Sequence, residues 1–386
     1  MRITFLLSRF PWPLDKGDKL RAYYQIRQLS INHDIELIAL TDENIPQKTI
    51  DELKKYCTSV QVYKLSALSK GINILKAFFS GKPFQVGYFY NSQINSKIKS
   101  HLNNHPADVI FCQLVRMAEY GKDIDSFRIL DYQDALSTGL KRRVSSAGIF
   151  FKLILKTEYK RLQKYENQIF DKFNQRLIIT KTDRDLIPHP QKEKIVVLPN
   201  GVDTTHFYPR EKTKEYDIIF AGNMNYPPNI NAAEFLSNEI MPLVWKVLPD
   251  AKLILAGANP SPEVRNLKND KVHITGWVED IADAYASAKV FVAPMRIGTG
   301  LQNKLLEAMA MKLPTVTTPL ANEALGAINN QDILVGNSNN EISEILINLL
   351  TNNSLYDKIS QSGYDFVKDN YSLDKVANQL ENILNS

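Results

Sequence analysis

The stretch APMRIGTGLQNKLLEAMAMKLPTVTTP (293–319) gathers the residue types that a phosphate-handling site needs. A strand-like run ends at Pro294, Gly298-Thr299-Gly300 form a loop, and a helix begins near Leu301. Glycines permit close backbone approach, and a helix start offers unpaired N–H groups at the positive end of its dipole. That combination suits a diphosphate. Arg296 stands before the loop, and Lys304 and Glu307, three apart, share one helix face. Lys304 could neutralise phosphate, and the Glu307 carboxylate could accept hydrogen bonds from two ribose hydroxyls. The same residues also fit an ordinary strand-loop-helix with a surface Lys–Glu pair.

Other chemistry is thinner. Asp131-Tyr132-Gln133-Asp134 follows the run RIL, where the two aspartates either face a ligand or cap the next helix. Asp123-Ile124-Asp125 has the spacing of a metal-binding acidic pair but lies away from any nucleotide motif. None of the six histidines falls in a ligand pattern, and Cys57 and Cys112 lie far apart, which argues against a disulfide framework and a cysteine-built zinc site. No metal is expected.

These groups need a scaffold. Strand-like runs at 2–7, 35–40, 60–63, 108–112, 128–131 and 176–180 alternate with helical segments, and a second series follows at 216–222, 251–257, 271–276, 289–294, 314–318 and 332–336. Such alternation implies parallel sheets covered by helices. LPNGVDTTHFYP (198–209), with Asn-Gly and two prolines, is a turn-rich connection. The spacing predicts a long helix from about Phe151 to Phe173 with Phe151, Leu155, Leu162, Ile169 and Phe173 on one stripe. It predicts a final helix over 371–386 with Leu373, Val376, Leu380, Ile383 and Leu384 as its apolar face. The reading is α/β: two Rossmann-like domains, 1–200 and 201–371, and a terminal helix, 372–386.

At about 150 residues per domain, 386 residues suit two domains. Hydrophobic content of 44% and charged content of 23% exclude disorder and a simple coiled coil. No run nears the roughly 18 apolar residues of a membrane span, and the opening apolar run is too short for an export signal. Charge is uneven: residues 1–200 carry 32 Lys and Arg against 20 Asp and Glu, and residues 201–386 carry 15 against 22. The excess peaks at 141–165, with eight basic residues and one acid, Glu158, among apolar Ile149, Phe150, Phe151, Leu153, Ile154 and Leu155. Two readings stand: a solvated helix face, or a surface for anionic lipid headgroups or an anionic acceptor. No nucleic-acid motif accompanies the charge.

PNGVDTTHF (199–207), a strand ending in Gly222, GWVEDI (276–281) and KLLEAMAMKLPTVTT, in that order, resemble the retaining family-4 glycosyltransferases of the GT-B fold. RFPWPLDKGDKLRAYYQIRQLS (9–30) and LDYQDALS (130–137) further resemble a bacterial sub-group of exopolysaccharide- and exosortase-associated sugar transferases. The resemblance implies two Rossmann-like domains facing a cleft, with the C-terminal helix returning to the N-domain. It places Gly17 near donor diphosphate and acceptor, Glu307 on the donor ribose, and Trp277 and Val278 at the nucleobase. Gly222, Asn223, Gly298, Thr299, Gly300 and Leu301 complete the donor set. Asp131 or Asp134 matches the position of a sugar-facing histidine. Two departures stand out: Thr299 occupies the position of the family's first Glu, and AGNMNYPPN (221–229) lacks the usual basic pair. A departing diphosphate still needs positive charge, so Arg296 and Lys304 receive that role, with Asp134 as the third catalytic candidate.

The resemblance thus implies a metal-independent enzyme that moves a sugar, with retention, from a nucleoside diphosphate donor to a hydroxyl of a glycan or lipid-linked glycan. It would need no cofactor beyond that co-substrate and would work in the cytoplasm or on the inner face of the cell membrane. The alternatives are a nucleotide-sugar epimerase on the same fold and a non-catalytic nucleotide-sugar-binding subunit.

Overall fold

The computed structural model describes residues 1–14, 16–146, 148–298 and 300–385, with the backbone alone at 142, 143, 145, 146, 149 and 150. The chain forms two compact units: Met1–Pro199 with Ala377–Ser386, and Asn200–Val376.

Unit 1 is built on seven strands: β1 (Arg2–Leu7), β2 (Asp34–Thr41), β3 (Ser59–Lys64), β4 (Val109–Gln113), β5 (Phe127–Asp131), β6 (Gln175–Ile178) and β7 (Val196–Val197). Their order is β3-β2-β1-β4-β5-β6-β7, all parallel. Helices cover both faces of such a sheet, which is why RITFLL and VIFC read as continuous apolar runs. Leu6 pairs with Ile38 on one side and Cys112 on the other, and all three are fully buried. The two-residue β7 escaped sequence reading because two valines carry no periodicity.

Unit 2 repeats the design with β8 (Tyr216–Ala221), β9 (Leu253–Ala256), β10 (Val272–Ile274), β11 (Ala288–Ala293), β12 (Thr315–Thr317) and β13 (Leu334–Val335). The order is β10-β9-β8-β11-β12-β13, again parallel throughout. Both sheets reverse their strand order, at β1/β4 and at β8/β11. In open parallel sheets, ligands bind outside the carboxyl ends of the strands at that reversal.

The long helix of unit 1 runs Ile149–Phe170. Leu162, Ile169 and Phe173 are buried as the stripe predicts, but Phe151 is 67% exposed, because the first turns extend past the core. The basic stretch is not uniformly surface. Glu158 accepts the N–H groups of Phe84 and Gln85 at 2.7 and 2.9 Å, and Arg161 donates to the carbonyls of Ala77, Lys82 and Phe78. The Arg161 bonds fasten the helix Ala67–Ser80, which sequence reading passed over, to the long helix, and the Glu158 bonds fasten the start of the helix Phe84–Phe89. The final helix, Leu373–Leu384, buries Leu373, Val376, Leu380, Ile383 and Leu384. From Ala377 onward it belongs to unit 1, where Glu381 Oε2 meets His33 Nε2 at 2.7 Å.

Candidate functional site

In unit 2, the carboxyl ends of β8, β9 and β11 and the helix Asn303–Ala310 converge. β8 ends in Gly222. A Cβ placed there would stand 2.7 Å from Asn229 Nδ2 and 3.1 Å from Lys304 Nζ, so the missing side chain lets the ammonium reach the backbone. The loop after β8 folds back on itself: Asn229 Nδ2 donates to the Asn223 carbonyl at 2.9 Å, and the Asn223 side chain accepts the Asn225 N–H. Pro227 and Pro228 then start a helix, as proline at the first positions favours. Asn229 rides on its first turn and accepts a hydrogen bond from Lys304 Nζ at 2.5 Å.

Lys304 is partly buried, and its ammonium lies 4.7 Å from the centre of the Phe220 ring. Among the described residues it has no salt bridge. Burial pulls its pKa down to about 8, against the opposing pull of Glu307. Glu307, one turn on, accepts a hydrogen bond from the fully buried Tyr285 hydroxyl at 2.8 Å. Burial raises the Glu307 pKa, with the Tyr285 bond and the charges of Lys304 and His206 pulling the other way. The two side chains sit side by side but answer to different neighbours: Lys304 to the β8 loop, Glu307 to Tyr285 on the helix Ile281–Ala286. Gln302 precedes the helix Asn303–Ala310 without capping it, so the first-turn N–H groups have no side-chain acceptor from that residue. Gly298 and Gly300 carry φ of 105° and 78°, left-handed values that favour glycine. Thr299 lies outside the described residues. Leu301 packs against the core of unit 2.

Arg296 does not join this cluster as its sequence position suggested. Its guanidinium lies over the Phe235 ring at 4.1 Å, donates to Asn231 at 3.2 Å and meets Glu239 at 3.4 Å. Asn229 and Asn231, two apart on a helix, face different ways, so the helix holds the two basic groups on different sides. Lys304 alone of the pair reaches the loop after β8. Trp277 is 74% exposed, beside the partly buried Val278. The loop that carries them is tied in through Thr275, whose hydroxyl accepts the Gly257 N–H at 3.2 Å and donates to the Gly276 carbonyl at 2.7 Å. Sequence reading missed Asn229, Tyr285 and Gly257. Only Gly257 left a signal: LILAG repeats the strand-then-glycine pattern of IIFAG.

Unit 1 carries its own cluster at the ends of β1, β4 and β5. Gly17 opens the helix Gly17–Leu29, exposed, with nothing within 4 Å of where a Cβ would sit. Asp131 is fully buried and locked to Arg21 at 2.6 Å, so it is a structural ion pair. Asp134 is exposed to solvent, yet partial loss of hydration, and then the charges of Asp183, Asp18 and Asp131, push its carboxyl up to about 7 against the pull of Arg116. Backbone strain collects here: Leu114 and Gln133, both non-glycine, have φ of 68° and 63°. Such outliers cluster at functional sites. Among the described residues, no three His, Cys, Asp or Glu gather as a metal ion would require.

Residues 215–352, which include Lys304, Glu307 and the β8 loop, match the family model described as Glycosyl transferases group 1. A Klebsiella pneumoniae protein described as an uncharacterized 44.6 kDa protein in the cps region is 23% identical over 399 residues, covering 98% of each chain. The fold is shared, at 12–15% identity, with three solved structures. Anabaena HepE in complex with UDP has a TM-score of 0.71 and full coverage of both chains. Sucrose-phosphate synthase from Thermosynechococcus elongatus has a TM-score of 0.69, covering 99% of this chain and 98% of that one. WaaG, a glycosyltransferase involved in lipopolysaccharide biosynthesis, has a TM-score of 0.66 and covers 99% of each. The match to the Glycosyl transferases group 1 model at residues 215–352 thus falls within a chain that takes the two-unit GT-B fold along its whole length.

Proposed function

We propose that this protein transfers a sugar, with retention of anomeric configuration, from a nucleoside diphosphate donor to a hydroxyl of a glycan or lipid-linked glycan. The observation that carries the reading is Lys304, a partly buried ammonium without a carboxylate partner among the described residues, at the glycine-lined end of β8 in a glycosyl transferase domain. A cation held dry by Phe220 and a single amide oxygen costs free energy until an anion arrives. As the sugar leaves, negative charge grows on the diphosphate, and a preplaced ammonium stabilises that charge without reorganising. The uncapped N–H groups of the helix Asn303–Ala310 add to it. Glu307, oriented by Tyr285, takes the ribose hydroxyls, and Trp277 and Val278 border the base. Unit 1 takes the acceptor, with Asp134 as the group that faces the sugar. No metal or further cofactor enters this scheme.

No helix among the described residues is long and apolar enough to cross a membrane. The apolar surface of unit 1 supports peripheral docking on an anionic cytoplasmic leaflet instead. Helix Ala67–Ser80 exposes Leu68, Ile72, Leu75 and Phe79, the long helix exposes Leu153 and Ile154, and the same two helices expose lysines 76, 152, 156 and 160. Exposed apolar and basic residues on the same helices fit a bilayer interface.

The test is a thermal-shift screen of nucleoside diphosphate sugars, beginning with UDP-sugars. A ligand at a hundred times its dissociation constant stabilises by about 2.7 kcal/mol. One donor should raise the melting temperature of the wild type and lose that effect in Lys304→Ala. It should then release free sugar slowly on incubation. Stabilisation by no nucleoside diphosphate sugar, or interconversion of the sugar without release, would overturn the reading.

A further inference from the structure

Unit 1 contains a recess of about 530 Å³ walled by the loops after β1 and β2, by Tyr88 and Phe89, and by Arg116. Arg116 is 9% exposed, and its Nε is buried with no partner. Among the described residues nothing forms a hydrogen bond or ion pair with its guanidinium, which lies 4.9 Å from the centre of the Phe89 ring. Burial, and then the neighbouring charge of Arg9, pull its pKa down, while Asp18 and Asp134 pull it up. It remains a cation, since arginine does not deprotonate in proteins. A buried, unpaired cation facing a recess is held at a cost that an arriving anion removes.

The rest of the lining agrees. Lys16 brings further positive charge, Arg9 stands at the recess paired with Asp18 at 2.8 Å, and Trp12 and Tyr88 bring aromatic faces. Of the two acids among the described residues of the wall, Asp42 is matched by Lys70 at 2.7 Å and by the Tyr88 hydroxyl at 2.9 Å, and Glu43 is exposed. A few fixed charged groups in a partly aromatic hollow are what a small-ligand site consists of.

We propose that this recess binds a phosphate ester on the acceptor: the substrate is a phosphorylated glycan whose phosphate sits on Arg116, flanked by Arg9 and Lys16. Arginine's planar fork matches phosphate oxygens in pairs. The proposal rests on the transferase reading and names the chemical class of its acceptor.

The experiment is calorimetric titration of the full-length chain with glucose 1-phosphate and with methyl α-glucoside, its uncharged counterpart. Wild type should prefer the phosphate by about tenfold or more, the scale of one charge-assisted contact. The preference should vanish in Arg116→Gln and persist in Lys304→Ala. A preference that survives Arg116→Gln, or that disappears in Lys304→Ala, places the anion elsewhere and overturns the proposal, as does equal binding of the two probes. Arg116 is buried, so Arg9→Gln, on a side chain 39% exposed, serves if the first variant does not fold. A preference unchanged there also overturns it. Binding of a nucleoside diphosphate to the same proteins should show the opposite dependence, lost with Lys304 and kept without Arg116. If that holds while the phosphate preference fails, the recess proposal falls alone; if the nucleotide does not bind wild type, the transferase reading falls. Competition by farnesyl phosphate assigns the bound ester to a lipid carrier, and glucose 1-phosphate binding without such competition assigns it to the glycan.

Discussion

Gly257 stands against Gly222: a methyl carbon on Gly257 would lie 1.9 Å from the Gly222 carbonyl oxygen. Gly257 also holds a φ of 139°, so the ends of β8 and β9 can meet only as bare backbone. That meeting fixes the start of the loop that carries Asn223 and Asn229, and Asn229 in turn holds Lys304. Gly257→Ala should therefore destabilise the protein by about 2 kcal/mol or more in urea melts, since clash and strain add. Gly17→Ala is the contrast. With nothing within 4 Å of its Cβ position, it should keep stability within about 0.5 kcal/mol. A fall in turnover there would then report a ligand displaced rather than a fold disturbed.

Lys304 and Glu307 should separate kinetically. Ribose does not change during sugar transfer, so Glu307→Gln should raise the donor KM and leave kcat less affected, as loss of uniform binding does. The diphosphate gains charge, so Lys304→Ala should lower kcat by about 10²–10³-fold, the scale of one preorganised donor. Steady-state kinetics at saturating acceptor, on variants shown to be folded by circular dichroism, checks both. A Lys304→Ala effect confined to KM removes Lys304 from leaving-group stabilisation.

The same lysine sets a pH limit. In the proposed scheme its ammonium form binds the diphosphate, and its pKa of about 8 in the free protein means that form is lost as pH rises above 8. Donor affinity should decline by up to about tenfold per pH unit above that point. Lys304→Arg keeps its charge through this range and should flatten the decline. Titrating a nucleoside diphosphate between pH 7 and 9.5 decides it, and a wild-type affinity constant across the range would contradict the assignment.

The fold was largely legible in the sequence, because buried parallel strands are continuous apolar runs and a pattern such as VFVAP needs no tertiary context to be recognised. The pairing of Lys304 and Glu307 on one side of a helix was legible too, by spacing alone. What could not be read were contacts made across the fold. Tyr285 reaches Glu307 from 22 residues away, and Asn229 reaches Lys304 from 75. The resting place of Arg296 was likewise not legible: adjacency to the glycine loop suggested phosphate, while its long side chain lies on Phe235 and donates to Asn231. The apolar face of the helix Ala67–Ser80 was hidden because an amphipathic pattern does not say whether its apolar side meets a core or a membrane.

That face gives the membrane prediction. Each basic residue near an anionic surface contributes about 1 kcal/mol, screened by salt. Sedimentation with phosphatidylglycerol vesicles should show binding that weakens steeply from low to physiological salt, and little binding to phosphatidylcholine alone. Lys152→Glu with Lys156→Glu should reduce it through charge. Phe79→Asp, at a side chain 79% exposed, should reduce it through insertion while leaving thermal stability within about 0.5 kcal/mol. Equal binding to neutral and anionic vesicles would refute the charged half of the idea, and an unaffected Phe79→Asp the apolar half. The side chains of Arg142 and Arg143, which the sequence also suggested for this surface, lie outside the described residues.

The last helix should be part of unit 1 in energy as well as in place. Leu380 is 1% exposed, and Glu381 beside it meets His33 at 2.7 Å and Asn32 at 3.3 Å. The chain reaches that helix through a constrained crossing. Val202 donates to the Tyr371 carbonyl at 2.8 Å, Leu373 donates back to Val202 at 3.1 Å, and a Cβ on Gly201 would stand 2.8 Å from Leu373 Cδ2. Removing residues 372–386 strips a buried apolar face from the unit and opens this crossing, so the truncated chain should melt well below the full one and lose turnover. Leu380→Ala isolates the packing contribution and should cost about 2–5 kcal/mol, the range for a buried leucine that leaves a cavity. Glu381→Gln keeps size and removes charge on a partly exposed side chain, so it should cost less than about 1 kcal/mol. Urea melts of the three proteins give the ordering. A truncated chain with full activity and an unchanged melt would show that the helix is an appendage, and a Glu381→Gln cost exceeding that of Leu380→Ala would mean the His33 contact, rather than apolar burial, holds it in place.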